Sequence, residues 1–143
     1  MSSTAGADCV RAALQELAGA SDLESSEASY DRMLDAIGHN HSGSLHRSAL
    51  PAVDDLLAIA CTGRAWSADA ALDVLIEITT SFELKFEVAR DHTDVQRFKR
   101  SLIAAVATRR DEIARLATTA SQQRTRARGA ELGAALSDAG IDP

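Results

Sequence analysis

Ser67-Ala68-Asp69-Ala70-Ala71-Leu72-Asp73-Val74-Leu75-Ile76-Glu77-Ile78 is the stretch on which the fold class turns. Leu72, Leu75, Ile76 and Ile78 recur at helical spacing, and Ser67 is a residue type that caps a helix start, so the segment predicts a helix from Ala68 to about Ser81. Asp69, Asp73 and Glu77 stand four residues apart and share one face of that helix. Like charges at this spacing oppose an isolated helix by roughly 0.2–0.5 kcal/mol per pair. The stripe therefore reads either as an ordinary solvated face or as a surface that steers a basic partner.

The same periodicity extends in both directions. Toward the N-terminus, Val10, Leu14, Leu17 and Ala18 mark a helix over Ala7–Ala18. Ser21-Asp22-Leu23-Glu24 has the form of a capping box for a second helix, which starts there or at Ser26. That helix carries Tyr30, Met33, Leu34 and Ile37 and stops at Gly38. A third helix is expected from Leu45 to Ala60, kinked or restarted by Pro51. Toward the C-terminus, Thr93-Asp94-Val95-Gln96 is a second capping-box form. It opens a long region, Asp94 to Thr118, with Val95, Phe98, Leu102, Val106, Ile113 and Leu116 as its stripe. Thr108-Arg109-Arg110-Asp111 is the place where this region would divide. A last helix over Gln122–Ser137 uses Ala127, Ala130, Leu132 and Leu136. Between Phe82 and His92 the alternation of Phe82, Leu84, Phe86 and Val88 with charged residues has the period of a strand. A lone strand lacks a partner, so an irregular connection is the expectation, with a two-stranded excursion or a dimer-forming edge as the alternative. With 143 residues, five aromatic side chains and two prolines, the chain is expected to be one all-α domain, 1–143, of six to seven helices.

Several function classes find little support. There is no nucleophile elbow, glycine-rich phosphate loop or framed pair of carboxylates, so no enzyme activity and no cofactor are expected. Cys9 and Cys61 have no metal or disulfide spacing and read as core or half-buried thiols. The first twenty residues contain Asp8, Arg11 and Glu16, unlike a secretory leader, and no uncharged stretch approaches the roughly 20 residues of a membrane span. A cytoplasmic location with no membrane contact is the expectation. His39-Asn40-His41-Ser42-Gly43-Ser44 is the clearest loop. Together with His46 it could offer three nitrogens to zinc, and a metal-dependent enzyme built on it is a minor alternative. No acidic residue sits nearby at ligand spacing, and turn formation is the simpler role.

Charge is unevenly spread. Residues 1–93 hold 15 acidic and 6 basic side chains, and residues 94–143 hold 6 acidic and 9 basic ones, within a net charge of −6. The basic half contains Arg97, Lys99, Arg100, Arg109, Arg110, Arg124, Arg126 and Arg128, yet Phe98 is its one aromatic residue. Nucleic-acid binding, which uses stacking aromatics beside basic groups, is therefore disfavoured.

Residues 39–78 resemble a group of bacterial HEAT-like, armadillo-type helical-repeat proteins. The resemblance rests on His41, Gly43, Ala49, Pro51, Ala52, Val53, Leu56 and the run Ala71–Leu75, with Leu45 and His46 standing where an aromatic is usual. It covers roughly a third of the chain. It implies a short α-solenoid, a right-handed stack of antiparallel helices with His41, Gly43 and Pro51 as turn residues. By fold analogy alone, it implies protein binding. Within that class an immunity protein that occludes a basic bacterial toxin suits the acidic face, with Asp54, Asp55, Asp69, Asp73 and Glu77 as candidate contacts. The alternative is a scaffold or regulatory adaptor that self-associates through Phe82–Val88.

Overall fold

The computed structural model describes residues 2–37, 49–62, 65–80, 92–120 and 122–138. Over these the chain is all-helical. The helices are α1 Ser2–Ala18, α2 Leu23–Ala36, α3 Ala49–Thr62, α4 Ala65–Thr80, α5 His92–Ala107, α6 Arg110–Thr119 and α7 Gln123–Asp138. The expectations for the histidine loop, for His41 and Gly43 as turn residues, and for residues 82–91 fall outside the described residues.

Helix α4 sits at the centre. It packs against α1, α2, α3, α5 and α7, and Ala70, Ala71, Leu72, Val74, Leu75 and Ile78 are buried around it. A helix that is apolar on nearly every side must be enclosed by others. Its alanines let those neighbours approach closely. In a linear repeat stack each hairpin meets only its neighbours, whereas α4 meets helices from both ends of the chain. Buried side chains from all seven helices join one core, including Leu17, Met33, Leu56, Leu75, Leu102, Ile113 and Leu132.

Several local expectations shift in register. Helix α1 begins at Ser2 and buries Val10, Ala13 and Leu17, while Ala18 is exposed. The capping box at α2 lies one residue later than the Ser21–Glu24 pattern. Asp22 is the N-cap, its carboxylate accepts from the Ser25 amide at 2.7 Å, and the Asp22 amide donates to Ser25 Oγ. A carboxylate is the stronger acceptor for the free amides of a helix start. Pro51 is the third residue of α3, in the first turn, where a missing N–H is tolerated, so the helix loses no internal hydrogen bond to it. Thr93 lies inside α5 and not at its cap. The long region divides at Thr108–Arg109 into α5 and α6. On α7 the buried face is Thr125, Gly129, Leu132, Ala135 and Leu136, with Ala127 and Ala130 exposed. The expected stripe consists of apolar residues, while two of the five buried positions, Thr125 and Gly129, are polar or lack a side chain.

Ser67 is not a cap either. It lies within α4, and its hydroxyl reaches the carbonyls of Ala18 and Ala20 at 3.0 and 3.1 Å. Those carbonyls belong to the last turn of α1 and the residues after it, where the helix ladder supplies no donor. Ser26 of α2 donates to the Trp66 carbonyl at 3.0 Å. The two serines pin the α1–α2 turn to the start of α4 and so fix the height at which α4 presents its acidic stripe.

Candidate functional site

The stripe of α4 lies along a seam and not toward solvent. Helix α7 places Arg124, Thr125 and Arg128 opposite Asp69 and Asp73, matching one four-residue step with another. Asp69 is 2% exposed. A carboxylate removed from water needs partners on both oxygens. Thr125 Oγ1 donates to Oδ1 at 2.5 Å, and Arg124 Nε donates to Oδ2 at 2.8 Å. Arg128 Nη1 stands 3.9 Å from the same Oδ2. The Arg124 guanidinium also lies 3.8 Å from the centroid of Trp66, a cation over an aromatic face.

One turn further on, Arg128 Nε donates to Asp73 Oδ1 at 2.9 Å. Burial pushes the Asp73 carboxyl above its ordinary value. Arg128 pulls against that push, and Asp69 and Glu131 add to it. At the far end, half-buried Glu77 meets Tyr30 of α2. The Tyr30 phenol is pushed up to about 12, first by burial and then by the charges of Glu77, Asp73 and Asp31, with a hydrogen bond to Glu77 contributing.

This corrects the reading of Asp69 as an exposed partner contact; Asp73 lies half-buried in the same seam, and half-buried Glu77 faces Tyr30 of α2 beyond it. Asp54 and Asp55 are exposed on α3 and lie outside it. The stripe is shielded because complementary charges from the basic half of the chain are already on it. Thr125 and Trp66 carry no signal in the sequence, Arg124 and Arg128 stand out there only as part of the basic half, and Tyr30 only as part of the apolar stripe of α2. The matching four-residue spacing of Arg124/Arg128 and Asp69/Asp73 was the available signal.

A different acidic face is exposed to solvent. Glu24, Glu27, Asp31 and Asp35 follow one another at three- and four-residue steps along the outside of α2, and all are exposed. Leu23, at the head of that face, is 57% exposed. Cys9 is exposed and Cys61 half-buried, so a core position is wrong for Cys9. Cys61 borders a cavity of about 300 Å³ together with Glu112, Arg115, Leu116 and Thr119 of α6. Its thiol is pushed up to about 11 by burial and then by Glu112, with Arg109 opposing, which makes it a poor nucleophile near neutral pH.

No known protein family, characterised protein or solved structure matches this chain. Among the described residues no group of three or more His, Cys, Asp or Glu is placed to hold a metal ion. No described helix is long and apolar enough to cross a membrane. Among the described residues the charged groups form an ionic seam between α4 and α7 and an exposed acidic face on α2.

Proposed function

We propose that the chain is a protein-binding module for a basic partner. The observation that carries this reading is the exposed face of α2, where Glu24, Glu27, Asp31 and Asp35 line up beside the solvent-facing Leu23. Asp54 and Asp55 add exposed negative charge on α3. A row of like charges on one rigid helix accelerates encounter with an oppositely charged surface and rejects acidic ones. An apolar side chain at the rim gives such an encounter a desolvated anchor.

Within this class an immunity protein fits, covering the substrate groove of a basic toxin such as a nuclease. The resemblance of residues 39–78 to one HEAT-like helical pair supports the same reading, with α3 and α4 as that pair and the other helices closed around it. Co-purification with the product of a neighbouring gene is the first test, and a neighbour that encodes no toxic or secreted domain would remove the immunity version. Binding in the wider sense is tested by Glu24→Lys/Glu27→Lys/Asp31→Lys. Association with the captured partner should slow by about tenfold or more at low salt and lose its salt dependence. Unchanged association would rule out this face.

A further inference from the structure

Two exposed helix faces of opposite charge belong to helices with different neighbours. Helix α2 packs on α1 and α4, whereas α5 packs on α3 and α4. The outer face of α2 carries Glu24, Glu27, Asp31 and Asp35, with Leu23 at its head. The outer face of α5 carries Arg97 and Arg100, then Ser101 and Ala104, with Thr108 just past the helix end. Positions 24, 27, 31 and 35 advance by three or four residues, and so do 97, 101, 104 and 108. Each set therefore forms one strip along a helix, on the order of 16 Å long. The α2 strip has a carboxylate at every step. The α5 strip has two arginines at one end and small side chains beyond them, a low surface on which another helix can lie. Both strips are exposed in the single molecule, so neither covers the other within one chain.

We propose that α2 of one copy docks antiparallel on α5 of a second copy of this chain. Asp31 and Asp35 then face Arg97 and Arg100, and Leu23 lies over the small side chains toward Thr108. Arg110, the first residue of α6, comes near Glu24 at that end. The inference rests on the reading of α2 as a docking face and names its occupant. Carboxylates alone accept any basic surface. What singles out a second copy is a strip on the same chain with equal length, opposite charge and room for a helix. The net charge of −6 opposes association at long range. In ~0.1 M salt, however, repulsion is screened beyond roughly 10 Å while the facing groups lie within that distance. A single pair of helices buries little surface, so the association is weak and exchanges quickly.

Sedimentation of the full chain tests the contact. Over ~0.05–1 mM protein in ~0.1 M salt, the weight-average mass should rise by about 1.5-fold or more, and ~1 M salt should return it to the monomer value. Glu24→Lys/Glu27→Lys/Asp31→Lys and Arg97→Glu/Arg100→Glu should each stay monomeric. All five positions are exposed, so neither variant disturbs the core. An equimolar mixture of the two variants should associate again, because each swapped face then meets an opposite charge. A wild type that stays monomeric under all these conditions would overturn the second copy as occupant. The α2 docking face would outlive that result if the α2 variant slowed capture of a basic partner. Association that survives in either variant, or a mixture that stays monomeric, would rule out the α2–α5 contact.

Discussion

Asp69 Oδ2 accepts a hydrogen bond from Arg124 Nε at 2.8 Å, across 55 positions of sequence. The carboxylate is buried and the guanidinium half-exposed, so the two ends of this bond are not equivalent. Removing Arg124 leaves a desolvated acceptor, whereas removing Asp69 leaves a cation that can turn to water. Arg124→Leu should destabilise the fold by about 1–3 kcal/mol in urea unfolding. Asp69→Leu/Arg124→Leu should lose less than the sum of the two single changes. Trp66 is the one tryptophan of the chain and lies under the guanidinium, so its fluorescence should change in Arg124→Leu. Additive losses with an unchanged Trp66 spectrum would show that the contact does not form.

Tyr30 is the one tyrosine of the chain, so phenolate absorbance reads it alone. Its titration should centre near 12, above the ordinary value of 10.0. Glu77→Gln removes a neighbouring charge and should move the midpoint down. Because the folded state holds the proton longer, stability should fall as pH rises between those two values. A midpoint near 10 in both proteins would remove Tyr30 from the seam.

Asp22 and Asp73 should affect acid stability with opposite signs. Amide and hydroxyl donors of Ser25 hold the Asp22 carboxyl below 3.8. Its contribution is present above that value and is lost as pH falls through the folded pKa. Asp73 is raised by burial, so its neutral form suits the fold better, and its contribution grows as pH falls from neutral toward 3.8. In thermal melts against pH, Asp22→Asn should lessen the wild-type loss at low pH, and Asp73→Asn should remove the gain. Parallel curves for all three proteins would contradict both assignments.

Gly129 and Gly133 are one helical turn apart but differ in what surrounds them. A methyl group at 129 would meet the Ala117 backbone, which cannot step aside, so Gly129→Ala should cost about 1–3 kcal/mol and separate α6 from α7. At 133 an added Cβ has nothing within 4 Å. Gly133→Ala should stabilise the helix by roughly 0.5–1 kcal/mol, through propensity alone. Chemical denaturation of the two variants checks both, and equal effects would show that the close approach at 129 is absent.

Ser67→Ala leaves the carbonyls of Ala18 and Ala20 without the hydroxyl that reaches them. A loss of about 1–3 kcal/mol is expected in urea unfolding. Ser67→Thr keeps the hydroxyl and should retain more of the stability than Ser67→Ala. Equal losses in the two variants would make the effect one of volume and not of the bond.

Helicity was legible in the sequence because it is a local property. Tyr30, Met33, Leu34 and Ile37 repeat at the helical period whatever they pack against, and Gln123–Asp138 differs from the expected span by a single residue at each end. The division at Thr108–Arg109 was visible as a polar break, and the charge imbalance between the two halves of the chain could be counted. What could not be read was which faces meet. Asp69, Asp73 and Glu77 share a helix face by spacing alone, but water or arginine opposite them gives the same sequence pattern. Only the docking of α7 decided it, with Arg124, Thr125 and Arg128 arriving from more than fifty residues away. Burial depends on the packing of distant segments, which periodicity within one segment does not encode. The sequence therefore determined that α4 carries an acidic stripe, and the tertiary structure determined that α7 covers Asp69 and Asp73 while the acidic residues of α2 stay exposed to solvent.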